Sequence, residues 1–409
     1  MASIGKPRGT RDFTPEEMER RRRVETALRE VFRRYGYREV ATPTMEHLEL
    51  FTLKSGEAIV EETYAFTDKS GRELALRPEL TAPVMRFYVE QMQMEPKPLK
   101  LLYFGNCFRY DRPQAGRYRE FWQMGCELIG TRTPEALAEL IALAYHALRG
   151  AGLEDILLRV GDLAPLRALL DDMGVEDAAA IMRLIDKGDR AGVEDVLAGR
   201  PGADTFLEYL DCAEAAALED LVGKEQTSRL TGVLDWLSDM DTPARLDPSI
   251  ARGLDYYTGI VFEIDAPALG AEKQLCGGGE YSLVPLLGGT ETPTAGFALG
   301  FDRILLALER EGRAPEEKEP LVYVTPVGED MLRPAARLAH RLRRQGLRVD
   351  MDLMRRSVSK SLQHAHRLGA RHAVIVGADE WARDAVVVKN MASGEQREVA
   401  VKELAAVIW

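Results

Sequence analysis

Apolar residues return at helical spacing soon after the chain begins. Val24, Leu28, Val31 and Phe32 form one stripe between Thr14 and Gly36. Thr14-Pro15-Glu16-Glu17 opens that helix, with proline in the first turn and acids against the positive dipole end, and Gly36 stops it. YREVATPTME follows as a short strand broken at Pro43. Residues 60–90 read as strands joined by the turn DKSGRE, then a strand end meeting a helix start in LALRPELTAPVMRFYVEQ. The clearest two-residue alternation lies in a hairpin. LLYFGNCFRY runs in, DRPQAGRYR turns over, and EFWQMGCELIG runs out. On the outgoing strand Phe121, Gln123, Gly125 and Glu127 share one face, while Trp122, Met124, Cys126 and Leu128 share the other, a core face.

Further along, residues 133–150 form an amphipathic helix with a capping threonine and a glycine stop. Residues 165–240 are rich in Leu, Ala and acids at helical spacing, with little strand signal, and read as a helical module inserted into the main domain. The β-branched and aromatic run from Gly259 to Ile264 predicts a buried strand, and TPTAGFALGFDRILLALERE a strand running into an apolar helix. GRAPEEKEP reads as a linker, and beyond it strands and helices alternate as in a compact α/β domain of roughly five strands. The expected organisation is therefore residues 1–164 and 241–311 as two parts of one domain, 165–240 as its insertion, 312–320 as the linker and 321–409 as the second domain.

At 409 residues the chain can build two or three cores, and 45% hydrophobic with 29% charged residues describes a globular protein. A net charge of −12 excludes a protein that coats nucleic acid indiscriminately. The charge is uneven: residues 165–240 hold 7 Lys+Arg against 17 Asp+Glu, whereas residues 319–409 hold 15 against 11. The basic end permits a local nucleic-acid surface. Four scattered cysteines imply neither a zinc site nor a disulfide framework. No apolar run reaches a membrane span, and the N-terminus lacks a secretory segment, so the expected compartment is the cytoplasm.

The candidate chemistry gathers around the hairpin. Gln123 and Glu127 flank a glycine that leaves room for a small polar ligand, and Arg109, Arg112, Arg117 and Arg119 crowd the strand end and loop. Two basic residues would suit a solvated turn; four beside an inward amide and carboxylate favour an anionic ligand next to a cationic one. Phosphate is the natural candidate for guanidinium groups. Glu79 and Thr81 sit at a first helical turn, where capping is the alternative role. Three consecutive glycines, Gly277 to Gly279, let backbone approach a ligand, but they form neither a Walker loop nor a dinucleotide fingerprint. Arg303 stands in a first turn against its dipole preference, as suits a phosphate partner. Arg252 and Tyr257 are an odd number apart, so a loop or bulge must intervene if both line one site.

FRYDRPQAGRYREFWQMGCELIG resembles the second signature motif of class II aminoacyl-tRNA synthetases in its histidine-specific form. The opening helix, strand and proline resemble the first motif, which in that family forms a dimer interface. FALGFDRILLALERE resembles the third, whose arginine clasps ATP, and RGLDYY resembles a histidine-specific signature. LCGGGEYS resembles a second such signature but departs from it, with Glu280 for its arginine and Ser282 for its aspartate. The resemblance implies an α+β fold: a class II antiparallel-sheet catalytic domain with a helical insertion, plus a C-terminal α/β anticodon-binding domain. It implies a ligase that joins histidine to ATP as histidyl-adenylate and passes it to histidine tRNA, with Mg2+, as a homodimer and without a membrane. It assigns Arg252 and Arg109 to catalysis and Arg109, Arg117 and Arg303 to ATP. Glu79, Thr81, Gln123, Glu127, Arg252, Tyr257 and Tyr281 fall to histidine, and Arg112 and Gln114 to the tRNA acceptor end. Two rivals share the fold: a catalytically silent regulator that binds a phosphoribosyltransferase of histidine biosynthesis, and a class II ligase for another amino acid. The C-terminal domain and RGLDYY argue against them.

Overall fold

A computed structural model describes residues 4–55, 58–112, 116–250, 257–313 and 320–408. Arg252, Gln114, most of RGLDYY and most of the linker stretch lie outside the described residues. The chain divides into two compact units, Met1–Pro315 and Glu316–Trp409.

The first unit is built on an eight-stranded sheet. In chain order its strands and those of a small flanking sheet are β1 (Arg38–Glu39), β2 (Met45–His47), β3 (Ala65–Thr67), β4 (Glu73–Leu76), β5 (Leu99–Phe108), β6 (Glu120–Ile129), β7 (Leu157–Asp162), β8 (Ala244–Leu246), β9 (Tyr257–Asp265), β10 (Gln274–Tyr281) and β11 (Thr294–Gly300). The large sheet runs β1-β5-β6-β11-β10-β9-β7-β8, and β2-β4-β3 form the small one. Only the outermost pairs of the large sheet, β1 with β5 and β7 with β8, are parallel; the rest is antiparallel. Strands distant in sequence, β6 and β11, thus become neighbours.

The opening helix Pro15–Arg34 begins with a capping box, in which the Glu17 N–H donates to Thr14 Oγ1 and the Thr14 N–H to Glu17 Oε2. Val24, Leu28 and Phe32 are fully buried, and Phe32 lies against Phe297 of β11. Asp302 locks this helix to the one that follows β11. Its buried carboxylate accepts from Arg21 at 2.6 Å, Arg11 at 2.5 Å and the Trp122 N–H at 2.8 Å. One aspartate therefore fixes the start of the helix that carries Arg303 against β6. The helix Pro134–Gly150 forms as expected, but Thr133 at its N-cap makes no side-chain cap bond. Six helices between Leu163 and Asp239 form the insertion, from Leu163–Asp172 to Lys224–Asp239.

The three-glycine run is a strand rather than a ligand loop. Gly277 to Gly279 lie in β10, in the middle of the sheet, and a Cβ at Gly279 (φ 149°) would meet Ile260 O at 2.4 Å. Close strand packing explains this glycine.

The second unit carries β12 (Val322–Pro326), β13 (Val349–Met351), β14 (His372–Val376), β15 (Ala385–Asn390) and β16 (Gln396–Ala400), in the order β13-β12-β14-β15-β16. Val322, Val324, Val374, Val376 and Val386 are wholly buried beneath the helix Leu332–Arg344 and the chain end.

Candidate active site

The hairpin places β5 beside β6 with Tyr103 opposite Gly125 and Leu101 opposite Glu127. Gly125 does leave room, but Tyr103 takes it: a Cβ there would lie 2.6 Å from the Tyr103 hydroxyl. That hydroxyl donates to Glu127 Oε1 at 3.0 Å, and the Tyr281 hydroxyl donates to Oε2 at 2.5 Å. On the far side β11 pairs Gly296 with Glu127, and a Cβ at Gly296 would sit 1.8 Å from Oε2. Gly296 therefore makes space for the carboxylate of Glu127. Glu127 is fully buried. Burial pushes its pKa up to about 8, despite the hydrogen bonds from Tyr281, Thr81 and Tyr103, and neighbouring Glu79 pushes the same way.

Glu79 faces this group from the start of the helix Thr81–Phe87. Its carboxylate accepts from the N–H groups of Thr81 (2.5 Å) and Ala82 (2.9 Å), so it does the capping, while Thr81 Oγ1 lies 3.4 Å from the Tyr103 hydroxyl. Burial raises the Glu79 pKa, partly offset by these N–H groups and by the positive charge of Arg109. Two carboxylates that disfavour each other's ionisation form a natural seat for a ligand with two cationic ends. Tyr257 and Tyr281, both buried, meet edge to face at 6.5 Å. Gln123 is half-buried and its Oε1 accepts from the Cys107 thiol at 3.4 Å.

The arginines divide by what they hold. Arg109 donates to Pro78 O at 2.9 Å and lies over the Phe121 ring. Arg303 donates to Gln274 O and pairs with Glu272, each at 2.8 Å, and reaches Gly116 O at 3.4 Å. Burial lowers its pKa; Glu272 opposes this, while the charges of Arg117 and Arg109 add to it. With the contact to Gly116, those repulsions bring together three guanidinium groups, from the residue after β5 (Arg109), the hairpin loop (Arg117) and the helix Phe301–Arg310 (Arg303). Arg117 pairs with Asp111 at 2.9 Å. Arg119 belongs to the scaffold: it donates to Asp111 O and stacks on Tyr110, leaving three arginines for a ligand rather than four. Arg112 is exposed.

Glu79, Thr81, Tyr103, Glu127 and Tyr281 are thus joined in one polar group with Tyr257 against Tyr281, and Arg109, whose charge reaches Glu79, links it to the arginine cluster. Sequence reasoning missed Tyr103. Its role comes from the hairpin register, which sets a tyrosine across from a glycine and is seen only in the fold. It also missed Glu272, whose tie to Arg303 depends on the fold. Among the described residues no group of three or more His, Cys, Asp and Glu could hold a metal ion, and no helix is long and apolar enough to cross a membrane.

The family model for histidyl-tRNA synthetase matches residues 9–304, and one for an anticodon binding domain matches 321–408. A histidine–tRNA ligase of Archaeoglobus fulgidus is 48% identical over 99% of this chain and 99% of its own length. One of Methanosarcina acetivorans is 45% identical over 98% of each. The crystal structure of apo S. aureus histidyl-tRNA synthetase superposes with a TM-score of 0.76 at 30% identity, covering 100% of both chains. The α+β fold expected from the motifs agrees with these neighbours, and the chain belongs to the histidyl-tRNA synthetase family.

Proposed function

We propose that this chain is a histidine–tRNA ligase whose enclosed carboxylates select histidine and whose arginines steer ATP. The carrying observation is Glu127, fully buried between two tyrosine hydroxyls, with Glu79 next to it in the field of Arg109. Relatives named histidine–tRNA ligase along the whole chain and the anticodon-binding match support tRNA charging over the silent regulator.

Histidine's ammonium group lies by Glu79, Thr81 and Gln123, and its imidazole by Glu127, Tyr257 and Tyr281. A carboxylate oxygen of histidine attacks the α-phosphorus of ATP, the bond to the bridging oxygen breaks, and pyrophosphate leaves. Arg109 holds the α-phosphate and the attacking carboxylate, Arg303 and Arg117 hold the outer phosphates, and Arg252 stabilises the developing charge. The task is chiefly electrostatic, since donors already in place need no reorganisation as charge moves. The terminal ribose hydroxyl of the tRNA then attacks the histidyl carbonyl and AMP departs, with Arg112 and Gln114 meeting the acceptor end. Arg109, Arg117 and Arg303 would meet the ATP phosphates together with Mg2+, which would supply further positive charge there. The opening helix and strand support a homodimer, and the chain works in the cytoplasm.

Histidine-dependent exchange of pyrophosphate into ATP tests the reading. Exchange with histidine and with no other amino acid is expected. Exchange driven by a different amino acid, or none at all, overturns it.

A further inference from the structure

The ladder between β9 and β10 slips at the pocket wall. Gly279 faces Val261, yet Tyr281, two residues on, faces Tyr257. The strand β9 therefore carries extra residues just where the two pocket tyrosines are set opposite each other. Glu280 fills the irregularity. Its Oε2 accepts the Ile260 N–H at 3.0 Å, and a Cβ at Gly259 would lie 2.4 Å from the same oxygen.

The helical insertion holds that carboxylate. Arg229, on the helix Lys224–Asp239, grips both oxygens, Nη1 to Oε2 at 2.6 Å and Nη2 to Oε1 at 2.5 Å, and also donates to Arg132 O at 2.7 Å. Arg167, on the helix Leu163–Asp172, donates to the main-chain oxygen of Tyr257 at 2.6 Å. Asp162, which caps that helix through the Ala164 N–H, lies within the fields of Glu280, Arg229 and Arg167. The glutamate side chain is 8% exposed and its arginine 32%, so the pair is bidentate and mostly shielded. Loss of Arg229 leaves the buried carboxylate uncompensated. Both tyrosines of the wall are thus tied, one through its strand neighbour and one through its own carbonyl, to arginines of the insertion.

We infer that the Arg229–Glu280 pair, seconded by Arg167, is a positioning device through which the helical insertion sets the Tyr257–Tyr281 wall of the amino-acid pocket. This rests on the reading of that pocket as the histidine site. Neither residue touches the substrate; each acts through the tyrosines.

Steady-state pyrophosphate exchange on the full chain decides it. With the wall displaced, Arg229→Ala should raise the KM for histidine about tenfold while the KM for ATP and kcat stay within about twofold. Glu280→Gln keeps an acceptor for Ile260 but drops the charge, and should raise the histidine KM in the same direction. Arg229→Lys should recover part of the loss. Arg190→Ala, which breaks an ion pair with Glu194 and Asp211 inside the insertion, should change nothing. An unchanged histidine KM in Arg229→Ala overturns the inference, as does an equal change for both substrates accompanied by a lower Tm. Should Arg229→Ala fail to fold, Arg229→Lys decides: a histidine KM equal to wild type sinks the idea, and an intermediate one supports it. Wild-type protein without histidine-dependent exchange would overturn the pocket's assignment instead, a distinct result.

Discussion

Glu127 and the arginine cluster treat charge in opposite ways. The carboxyl is wholly enclosed and meets hydroxyls donated by Tyr103 and Tyr281. The arginines keep water at hand, with 46% of the Arg117 side chain and 23% of Arg303 exposed, and they hold main-chain carbonyls or single carboxylates. On the proposed reading burial makes the first region selective, since a wrong ligand leaves polar groups unpaired in a place water cannot reach. Partial solvation makes the second exchangeable, since phosphate oxygens can replace a carbonyl or a carboxylate at small cost. Selection and charge handling are thereby separated, and each can be broken alone.

The largest effect should come from Arg109, the residue that spans both regions. Arg109→Ala should lower the exchange turnover about 100- to 1,000-fold, the usual cost of one donor to developing charge. Histidine binding, followed by calorimetry without ATP, should change far less. Unchanged turnover would remove Arg109 from the chemistry and leave the two regions uncoupled. Next in size is the pocket itself. Glu127→Ala removes a charged hydrogen-bonding partner and should raise the histidine KM about 10- to 100-fold with turnover largely retained. If ATP affinity fell equally, amino-acid selection and charge handling would not be separate in this protein.

Much of this was legible along the chain, for identifiable reasons. The two faces of β6, the start of the opening helix and the turn that carries Arg303 follow from local periodicity and capping. Tyr103 was not legible, because its role depends on which β6 residue lies across from it. Gly296 was not legible either, since only the β6–β11 register sets it beside Glu127. The partnership of Arg229 with Glu280 spans 51 positions and joins an acidic, locally helical stretch to a glycine-rich strand, so no periodicity could announce it. β16 carries the weakest strand signal of its sheet: Gln396, Arg397 and Glu398 are exposed, and an edge strand without an apolar face shows no alternation.

Acidity gives a third handle. Near pH 7 the empty pocket keeps Glu127 protonated, its pKa being about 8, while free imidazole is mostly neutral with a pKa of about 6.5. A carboxylate–imidazolium pair then forms without net proton exchange, so the histidine KM should be flat between these values. Above pH 8 both groups have lost their protons and binding must take one up. The KM should then rise towards tenfold per pH unit, as one coupled proton requires. Glu127→Gln should abolish the break near pH 8; histidine's own α-amino group titrates in both proteins and cancels in the comparison. A break retained in that variant would mean the buried carboxyl does not meet the imidazole.

The smallest effect belongs to Arg117, and it tests how solvated the second region is. Its guanidinium pairs with Asp111 in a contact open to water, and such pairs contribute about 0.2–1 kcal/mol. Transferred to an ATP phosphate under the same solvation, that range predicts a rise in the ATP KM of no more than about fivefold in Arg117→Ala. The difference from wild type should shrink further in 0.5 M salt, because screening acts fully on exposed charges. Arg303, more deeply set and held by Glu272 and Gln274, should show a larger and less salt-sensitive loss when replaced by alanine. Equal losses for the two arginines, with equal salt dependence, would mean that ATP binding closes the hairpin loop over the phosphates and dehydrates Arg117. The contrast between a dry pocket and a wet cluster would then describe only the ligand-free protein.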